Sequence, residues 1–522
     1  MGEWNQQAST FPFPVGYRAS GLLLHITSLP SAYGLGDLGP AAYAWIDRLH
    51  EAGQTWWHAL PVGPTGYSNS PYQSLSSFAG NGLLISPDYL IEDGLLRAEE
   101  CKGTFSSTRI DYDAVIPFKQ RLMDLVWSRF RAGRRQDLVP EYEQFCHARA
   151  GWLEDYALFR ALRTRYHNAH YLDWPPELVH REPSALAQAR RELADSVDRV
   201  RLAQFLLSRQ SRRLIEYARD KNVRLIGDLP FFVSPDSSDV WANPELFILD
   251  ERLRPRFVAG VPPDYFAAHG QLWGNPVYNW QVLRCTGYAW CIDRIRALLA
   301  RVDAIRLDHF RAFAAAWHVP AGALTAETGQ WVDGPGAEFF HILREKLGSL
   351  PFIAEDLGVI TPDVSALLGQ FDIPGTRVLQ FAFDGAPGNS HLPDQYPSNA
   401  VVYTGTHDNA TSREWFHSSS EREQQSFWAY TKQRAGEGRD AAPELMRLAW
   451  SSPAALAIAP FQDVLNLGGE GRMNVPGVAQ GNWRWRATPH MLSARNFRWL
   501  KDLTKFCNRS GGTRIAVLGA AS

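Results

Sequence analysis

The stretch of sequence that decides the fold is Ala304-Ile305-Arg306-Leu307-Asp308-His309-Phe310-Arg311. In its first half, large apolar residues alternate with small or charged ones, which is the period-two pattern of a β-strand. Ile305 and Leu307 would share one face and Arg306 and Asp308 the other, because side chains two residues apart point the same way. Burying either charge alone would cost several kcal/mol, so the two charges must compensate each other.

This predicted ion pair has two interpretations. Arg306 would favour the charged form of Asp308 and lower its pKa, leaving an ionised carboxylate that can act as a nucleophile. The pair could equally be an ordinary ion pair of the protein core. The stretch taken alone leaves both interpretations open.

The composition narrows the class of protein. The 522 residues are 45% hydrophobic and 21% charged, as in soluble globular proteins, and the formal net charge of -2 gives no reason to expect nucleic acid or a membrane surface as partner. No apolar stretch reaches the ~20 residues of a membrane helix, and no signal peptide is recognisable at the N-terminus. The five cysteines include no C-x-x-C pair, so we expect no disulfide framework or zinc site, and a cytoplasmic location.

Seven further stretches have the character of buried strands and alternate with helical patterns, which predicts a parallel sheet. They are residues 21–25, 55–61, 223–230, 350–356, 376–381, 400–404 and 455–461. With the opening stretch they make eight strands, the number in a (β/α)8 TIM barrel. The predicted division is a loose arm at 1–19, one catalytic barrel at 20–509 and a tail at 510–522.

Two insertions interrupt the predicted barrel. The first, at about residues 83–220, is helical by the spacing of its apolar residues. The second, at about residues 234–285, is rich in proline, glycine and aromatic residues, and its segment 262–276 is predicted to be irregular.

Four of the predicted strands end in an acidic residue or run directly into one. These residues are Asp228, Asp308, Glu355 and Asp408. In a TIM barrel the carboxyl ends of the strands converge on one pocket, so these acids would meet Arg306 and His407 there. Packed carboxylates repel one another and destabilise the fold, which points to a functional site.

Two carboxylates that flank a bond suit glycoside chemistry. Asp308, held ionised by Arg306, could attack the anomeric carbon, and Glu355, its pKa raised by the neighbouring carboxylates, could protonate the leaving oxygen. Asp408 could hold sugar hydroxyls. A divalent metal bound by the carboxylates is the competing reading, but it is disfavoured because Arg306 stands directly beside Asp308.

Several motifs, in order between about residues 20 and 505, resemble those of the 4-α-glucanotransferases called amylomaltases or disproportionating enzymes, glycoside hydrolase family 77. The segments 270–276 (GQLWGNP) and 472–477 (RMNVPG) are the most specific, whereas R-x-D is shared with all α-amylase relatives. The other matches are at 66–73, 227–231, 306–311, 354–358, 404–409 and 482–483.

The resemblance implies a barrel with a retaining mechanism, no C-terminal β-domain and no metal or organic cofactor. It also implies maltooligosaccharides and α-1,4-glucans as substrates, with glucose as an acceptor. The roles it implies are nucleophile for Asp308, acid/base for Glu355, transition-state stabiliser for Asp408, sugar contacts for Tyr72, Asp228, Arg306 and His407, lid contacts for Gln271 and Trp273, and a secondary glucan contact for Tyr67.

The sequence departs from the family pattern at Asn69, Ala314, Ala316 and Ala410. These positions concern acceptor preference and chain length. They do not alter the three acids.

The alternative enzyme is a plain α-glucan hydrolase with the same acids. Transfer is favoured if the segment 262–276, which offers Tyr265, Phe266, Leu272 and Trp273, covers the pocket and excludes water. A catalytically inactive carbohydrate-binding protein, the alternative from another class, would have no reason to keep all three acids.

Overall fold

The computed structural model describes residues 13–263, 268–386, 388–432 and 436–511. Within these ranges the chain forms twelve strands and seventeen α-helices. The strands are β1 Ala19–Leu23, β2 Trp56–His58, β3 Arg224–Leu229, β4 Phe257–Val261, β5 Gln271–Pro276, β6 Ala304–Leu307, β7 Ala315–Pro320, β8 Gln330–Asp333, β9 Phe352–Ala354, β10 Gly375–Val378, β11 Ala400–Tyr403 and β12 Leu456–Pro460.

Eight of the strands close into a parallel barrel in the order β1-β12-β11-β10-β9-β6-β3-β2. Each is one of the eight predicted strands, so the prediction of a (β/α)8 TIM barrel is confirmed. The strands are shorter than predicted at their carboxyl ends, because residues such as those at 59–61 and 355–356 already belong to loops.

Helices lie between the barrel strands. Those between β2 and β3 form the predicted helical insertion. The helices are α1 Pro40–Glu51, α2 Pro87–Glu92, α3 Tyr112–Arg131, α4 Val139–Arg165, α5 Pro176–Val179, α6 Pro183–Glu192, α7 Ala194–Asp220, α8 Ser238–Ala242, α9 Trp280–Cys285, α10 Ala289–Leu299, α11 Gly336–Leu347, α12 Pro362–Phe371, α13 Ser412–Ser418, α14 Glu421–Thr431, α15 Gly438–Ser451, α16 Phe461–Val464 and α17 Ala494–Phe506.

Aromatic side chains join the helices to the barrel. Trp45 of α1 is fully buried and packs edge-on against Trp57 of β2, with ring centroids 6.3 Å apart, and against Phe461 of α16, at 4.8 Å. Such contacts stabilise the fold through the large apolar area that each ring removes from water. Most of the tryptophan content that stands out in the sequence therefore has a structural use.

The prediction that residues 262–276 are irregular is wrong for the second half of that segment. Residues Gln271–Pro276 form β5, which pairs with β4 in a four-stranded antiparallel sheet of order β5-β4-β7-β8. The pairing contains a bulge, and Gly274 adopts a positive φ of 78° there, a conformation that glycine tolerates best. The strand escaped prediction because its partner and its bulge are tertiary features.

The prediction of a loose N-terminal arm is wrong for residues 13–18. The ring of Phe13 stacks on that of Tyr17 at 5.0 Å, and Arg18 donates hydrogen bonds to the backbone carbonyls of Trp450 and Ser452. At the other end of the chain, Ser510 forms an isolated bridge with Ala19 of β1. The rest of the predicted arm and the tail from residue 512 lie outside the described residues.

The parts of the chain that the structure describes lack a further strand after β12 and a membrane-spanning helix. No strand follows β12 there, apart from single bridging residues such as Trp485 and Ser510. No helix in these parts has both the length and the apolar character that a membrane span requires.

Closure of the barrel between β1 and β2 depends on Gly21. A Cβ atom added to Gly21 would lie 2.3 Å from the carbonyl oxygen of Trp56, closer than van der Waals contact allows. We predict that Gly21→Ala lowers the free energy of unfolding by about 1–3 kcal/mol, as overpacking does. The thermal unfolding midpoint, followed by circular dichroism, measures the change.

The matched control is Gly151→Ala in the middle of α4, where an added Cβ would meet nothing within 4 Å. This substitution should leave the unfolding midpoint unchanged or raise it, because alanine favours the helix by about 0.5–1 kcal/mol over glycine. Equal midpoints for Gly21→Ala and the wild type would contradict the close approach of the two strands.

Candidate active site

The predicted acids come together at the carboxyl ends of the barrel strands. Asp228 on β3 lies level with Arg306 on β6, and Leu307 of β6 lies level with Ala354 of β9. Asp308 and Glu355, the next residues of β6 and β9, therefore leave neighbouring strands at the same height. The loop after β11 supplies His407 and Asp408.

Arg306 joins two of the carboxylates. Its Nη1 atom donates hydrogen bonds to Oδ2 of Asp228, at 2.7 Å, and to Oδ1 of Asp308, at 3.0 Å. The side chain of Arg306 is 5% exposed and that of Asp308 28% exposed, so the ion pair begins in the core and ends at the cleft. The pair is therefore more than a core ion pair, because one carboxylate remains accessible to a ligand.

Asp228 is the buried end of this network. Besides Arg306, the Nε2 atom of His58 lies 2.6 Å from its Oδ1, and the hydroxyl of Tyr72 donates to its Oδ2 at 2.5 Å. Burial alone would raise the pKa of Asp228, but Arg306 and His58 hold it well below its ordinary value. The Tyr403 hydroxyl lies 3.2 Å from Nδ1 of His58 and completes the chain of contacts.

The sugar contact of Asp228 stays a prediction, and the contacts of its carboxylate suggest a second role. Its side chain has no exposed area, and both carboxylate oxygens are already occupied by His58, Tyr72 and Arg306. Asp228 acts on the site by holding Tyr72 and Arg306 in place.

Glu355 has the elevated pKa that the sequence predicted. Burial, the largest cause, and the negative charge of Asp308 together raise the pKa of Glu355 to about 8, against the opposing effects of Arg306 and the backbone N–H of His309. The direction of the prediction is confirmed. The larger cause is burial, which the sequence pattern did not reveal, and the neighbouring carboxylates are the smaller one.

The expected low pKa of Asp308 is not found. Burial raises it above the ordinary value of an aspartate, although Arg306 and His407 both act in the opposite direction. Because Arg306 donates directly to Asp308, whereas Glu355 receives only a backbone N–H, we infer that the negative charge of this pair resides on Asp308 and the proton on Glu355.

His309 connects the two acids. It adopts a left-handed backbone conformation with φ 48°, uncommon for a residue other than glycine, and its N–H donates to Oε2 of Glu355 at 2.7 Å. Since Oε2 accepts this hydrogen bond, the acidic proton of Glu355 belongs on Oε1.

Asp408 is held from one side only. The Nδ2 atom of Asn474 donates to its Oδ1 at 2.6 Å, and Nη2 of Arg472 donates to its backbone carbonyl at 3.3 Å. Nε2 of His407 lies 3.4 Å from Oδ2. The Asp408 side chain is 47% exposed, which leaves Oδ2 free to accept hydrogen bonds from a ligand.

Stacked rings form one wall of the site. Tyr72 lies parallel to His407, with ring centroids 4.9 Å apart, and Trp483 packs against both rings. Burial lowers the pKa of His407, although Asp408 opposes the shift, so the imidazole is neutral near neutral pH. Flat apolar surface of this kind suits the face of a sugar ring.

The opposite wall carries the predicted lid residues. Nε1 of Trp273 donates to Oε1 of Gln271 at 3.1 Å, and the Trp273 ring meets the His309 ring edge-on at 4.8 Å. The lid residues Tyr265 and Phe266 lie outside the described residues. Tyr67 begins the turn Tyr67–Asn69, and its side chain also lies outside the description.

The donor groups of the site do not form a metal centre. Among the described residues, no three His, Cys, Asp or Glu side chains are grouped so that they could hold a metal ion. At the carboxylates themselves, a guanidinium stands between Asp228 and Asp308, where a cation would be repelled. The five cysteines are free thiols.

The sequence analysis did not identify several residues of the site. His58 and Tyr403 are the last residues of β2 and β11, but the predicted strands continued to residues 61 and 404, so the ends of the strands were not placed closely enough to point to them. Asn474 and Trp483 lie in motifs that supported the resemblance, but no role was attached to them. The hydrogen bond from the His309 N–H had no sequence signal.

Three comparisons with known proteins agree with this geometry. The family model described as 4-alpha-glucanotransferase, glycoside hydrolase family 77, matches residues 24–492. A 4-alpha-glucanotransferase from Synechocystis is 47% identical over 95% of this chain and 98% of its own, and one from Thermus thermophilus is 43% identical over 94% and 99%.

A solved structure, amylomaltase from Streptococcus agalactiae in complex with acarbose, superposes with a TM-score of 0.90 at 34% identity. The alignment covers 94% of this chain and 99% of the solved one. On this evidence the chain belongs to the 4-alpha-glucanotransferases of glycoside hydrolase family 77.

Proposed function

We propose that this 4-alpha-glucanotransferase moves α-1,4-glucan segments from a donor maltooligosaccharide to glucose or another α-glucan through a covalent glycosyl-enzyme on Asp308. The observation that carries the proposal is the pairing of unlike carboxyl groups. Asp308 accepts a hydrogen bond from Arg306, whereas Glu355 is partly buried, has no guanidinium donor among the described residues and has a pKa of about 8. The first suits a nucleophile and the second an acid.

In the first step, a carboxylate oxygen of Asp308 attacks the anomeric carbon of the donor. The bond from that carbon to the glycosidic oxygen breaks, and the proton of Glu355 passes to the departing oxygen. The donor's reducing-end fragment leaves, and the rest of the glucan is bound to Asp308 as an ester. Arg306 acts against protonation of Asp308 before the attack.

In the second step, the Glu355 carboxylate takes the proton from a hydroxyl group of the acceptor. The acceptor oxygen bonds to the anomeric carbon, and Asp308 leaves as a carboxylate. Two displacements at one carbon restore the α configuration. The His309 N–H keeps Oε2 of Glu355 in place throughout, so Oε1 carries the proton in both directions.

The other contacts hold the sugar as it distorts. Asp408 offers its free Oδ2 to ring hydroxyls, while Asn474 fixes Oδ1. Tyr72 and His407 present a stacked wall to the sugar, with Arg306 beneath it. Hydrogen bonds that strengthen as the ring flattens lower the barrier of both steps.

The preference for transfer over hydrolysis comes from the lid residues Gln271 and Trp273. Trp273 lies on β5 against His309, the residue that follows the nucleophile, so a sugar bound there would be next to the glycosyl-enzyme. An acceptor that stacks on Trp273 excludes water from the ester. Gln271 orients the Trp273 ring through its hydrogen bond to Nε1. Tyr67 stays a proposed secondary glucan contact.

The remaining parts of the proposal concern the chain as a whole. Residues 20–509 act as one catalytic unit, without metal or organic cofactor, on maltooligosaccharides and α-1,4-glucans. Nucleic acid and membranes are not proposed as partners. The free thiols and the cysteine content support a cytoplasmic location.

The elevated pKa of Glu355 predicts the pH dependence of the reaction. The acid must be protonated to assist the leaving group, so kcat/KM for maltotriose should fall as the pH rises through about 8. Glu355→Gln should lower transfer from maltotriose by about 10²–10⁴-fold, the usual value of general acid catalysis. Steady-state rates over a pH series measure both effects.

A donor with a fluoride leaving group is the internal control for Glu355→Gln, since fluoride departs with little protonation. The variant should lose much less of the first step with maltosyl fluoride than with maltotriose. Equal losses with the two donors would contradict the acid role.

The product pattern from maltotriose tests transfer itself. The wild type should convert maltotriose to glucose and a ladder of shorter and longer maltooligosaccharides, while total reducing ends stay nearly constant because each broken bond is remade. Trp273→Ala should weaken acceptor use and raise the hydrolysed fraction. Reducing-end assays and chromatography of the products give the two quantities.

Trp331→Ala is the matched control, because Trp331 lies on β8 of the same small sheet, is 39% exposed and stacks on Arg311 at 3.6 Å. It should leave the hydrolysed fraction at the wild-type value. A wild-type enzyme whose reducing ends increase in step with the loss of maltotriose would be a hydrolase, and the proposed function would fail.

A further inference from the structure

The loop that carries His407 and Asp408 is anchored at both ends by one buried side chain. The loop runs from Thr404, after β11, to Ser412, the first residue of α13. Asp463 of α16 lies beneath it and is 1% exposed, and both Thr404 and Ser412 are fully buried. No step of the proposed mechanism uses Asp463.

Three hydrogen bonds connect Asp463 to the loop. The hydroxyls of Thr404 and Ser412 each donate to its Oδ2 at 2.6 Å, and the backbone N–H of Ser412 donates to its Oδ1 at 2.8 Å. One carboxylate therefore joins the residue that follows a barrel strand to the residue that begins the next helix.

The three donors of Asp463 are all neutral groups. Among the residues that the structure describes, no Lys, Arg or His nitrogen lies within ion-pair distance of its carboxylate. Burial without a cation raises the pKa of Asp463. Burying a carboxyl group without a cation lowers the stability of the fold, and all three hydrogen bonds that compensate for this come from the ends of one loop.

The middle of the loop is held by separate contacts. Oδ1 of Asn409 accepts hydrogen bonds from the backbone N–H and the hydroxyl of Thr406, both at 2.9 Å, and Gln380 donates to the carbonyl of Ala410 at 3.0 Å. The carboxylate of Asp408, in contrast, is half-exposed and can accept hydrogen bonds from a ligand. The ends of the loop therefore act together with these contacts, and with Asn474 and Arg472, to fix where that carboxylate lies.

We propose that Asp463 is a positioning residue for glucan transfer, which fixes the loop so that Asp408 and His407 meet the sugar at the nucleophile. The inference rests on the proposed role of Asp408. Asp463 touches neither the sugar nor the reacting atoms. It acts by fixing the distance between Thr404 and Ser412, the two ends of the loop.

The test is Asp463→Asn, which keeps the size of the side chain. An amide nitrogen cannot accept a hydrogen bond, so one or two of the three donors lose their acceptor, and the loop ends shift. A displacement of about 1 Å at a catalytic group can cost about 10²-fold in rate. We expect kcat for maltotriose to fall by about 10–100-fold, with KM changed much less.

Acarbose inhibition distinguishes positioning from general destabilisation. Acarbose has a flattened ring that resembles the distorted sugar, so its inhibition constant should rise in Asp463→Asn about as much as kcat falls. The assay is run well below the unfolding midpoint of each variant, so that only folded enzyme is compared.

Asp303→Asn is the matched control. Asp303 precedes β6 at the opposite end of the barrel, is 14% exposed, and accepts hydrogen bonds from the Leu225 N–H at 2.9 Å and from Arg219 at 2.8 Å. This variant should unfold at a lower temperature with the kcat and the acarbose constant of the wild type.

If Asp463→Asn does not fold, Ser412→Ala and Thr404→Val each remove one hydroxyl donor and test the same contact with a smaller change. Wild-type kcat and acarbose inhibition in the folded variants would overturn the inference. Full activity of Asp408→Asn would overturn it as well, because the loop would then carry nothing that needs positioning. The reducing-end experiment decides the proposed function independently of these variants.

Discussion

The contact on which the rest of the active site depends is the guanidinium of Arg306 between Asp228 and Asp308. A buried cation is stable only when its charge and its hydrogen bonds are satisfied. Asp228 supplies that compensation from β3, and Asp308 supplies it from the end of β6 itself. Because the two carboxylates are on neighbouring strands, the contact forms only when β3 and β6 have paired. His58, Tyr72 and Tyr403 then complete the coordination around Asp228 and fix the floor of the cleft.

The same electrostatics separates the roles of the two reacting carboxyl groups. Both are partly buried, and this partial burial raises the pKa of both. Only Asp308 has a guanidinium as hydrogen-bond donor, so in the coupled pair it keeps the charge and Glu355 keeps the proton. The lid has a different role in the proposed mechanism. Hydrolysis and transfer would share the same ester on Asp308, and we propose that Trp273 beside His309 favours a sugar over water as its next partner.

The sequence was sufficient for features that depend on neighbouring residues. The eight barrel strands and the acids at their ends follow from period-two patterns, and strand direction then brings those acids together. The sequence was insufficient for features whose cause is a contact with residues far away along the chain. Strand β5 needs β4 as a partner, and His58 meets Asp228, 170 residues further along the chain, only when β2 pairs with β3. The pKa of Asp308 was predicted from its neighbour Arg306, whereas burial, which only the folded chain produces, dominates it. The anchoring of the catalytic loop by Asp463 is equally invisible in the sequence.

The most direct test of the central claim is the mass of Glu355→Gln after reaction with maltosyl fluoride. This donor can form the ester without an acid, and the variant has no base to activate an acceptor, so the intermediate should accumulate. The account predicts a protein heavier by one maltosyl group, with the added mass on the peptide that contains Asp308. An unmodified protein that nevertheless consumes the donor, or a maltosyl group on any other residue, would contradict the account.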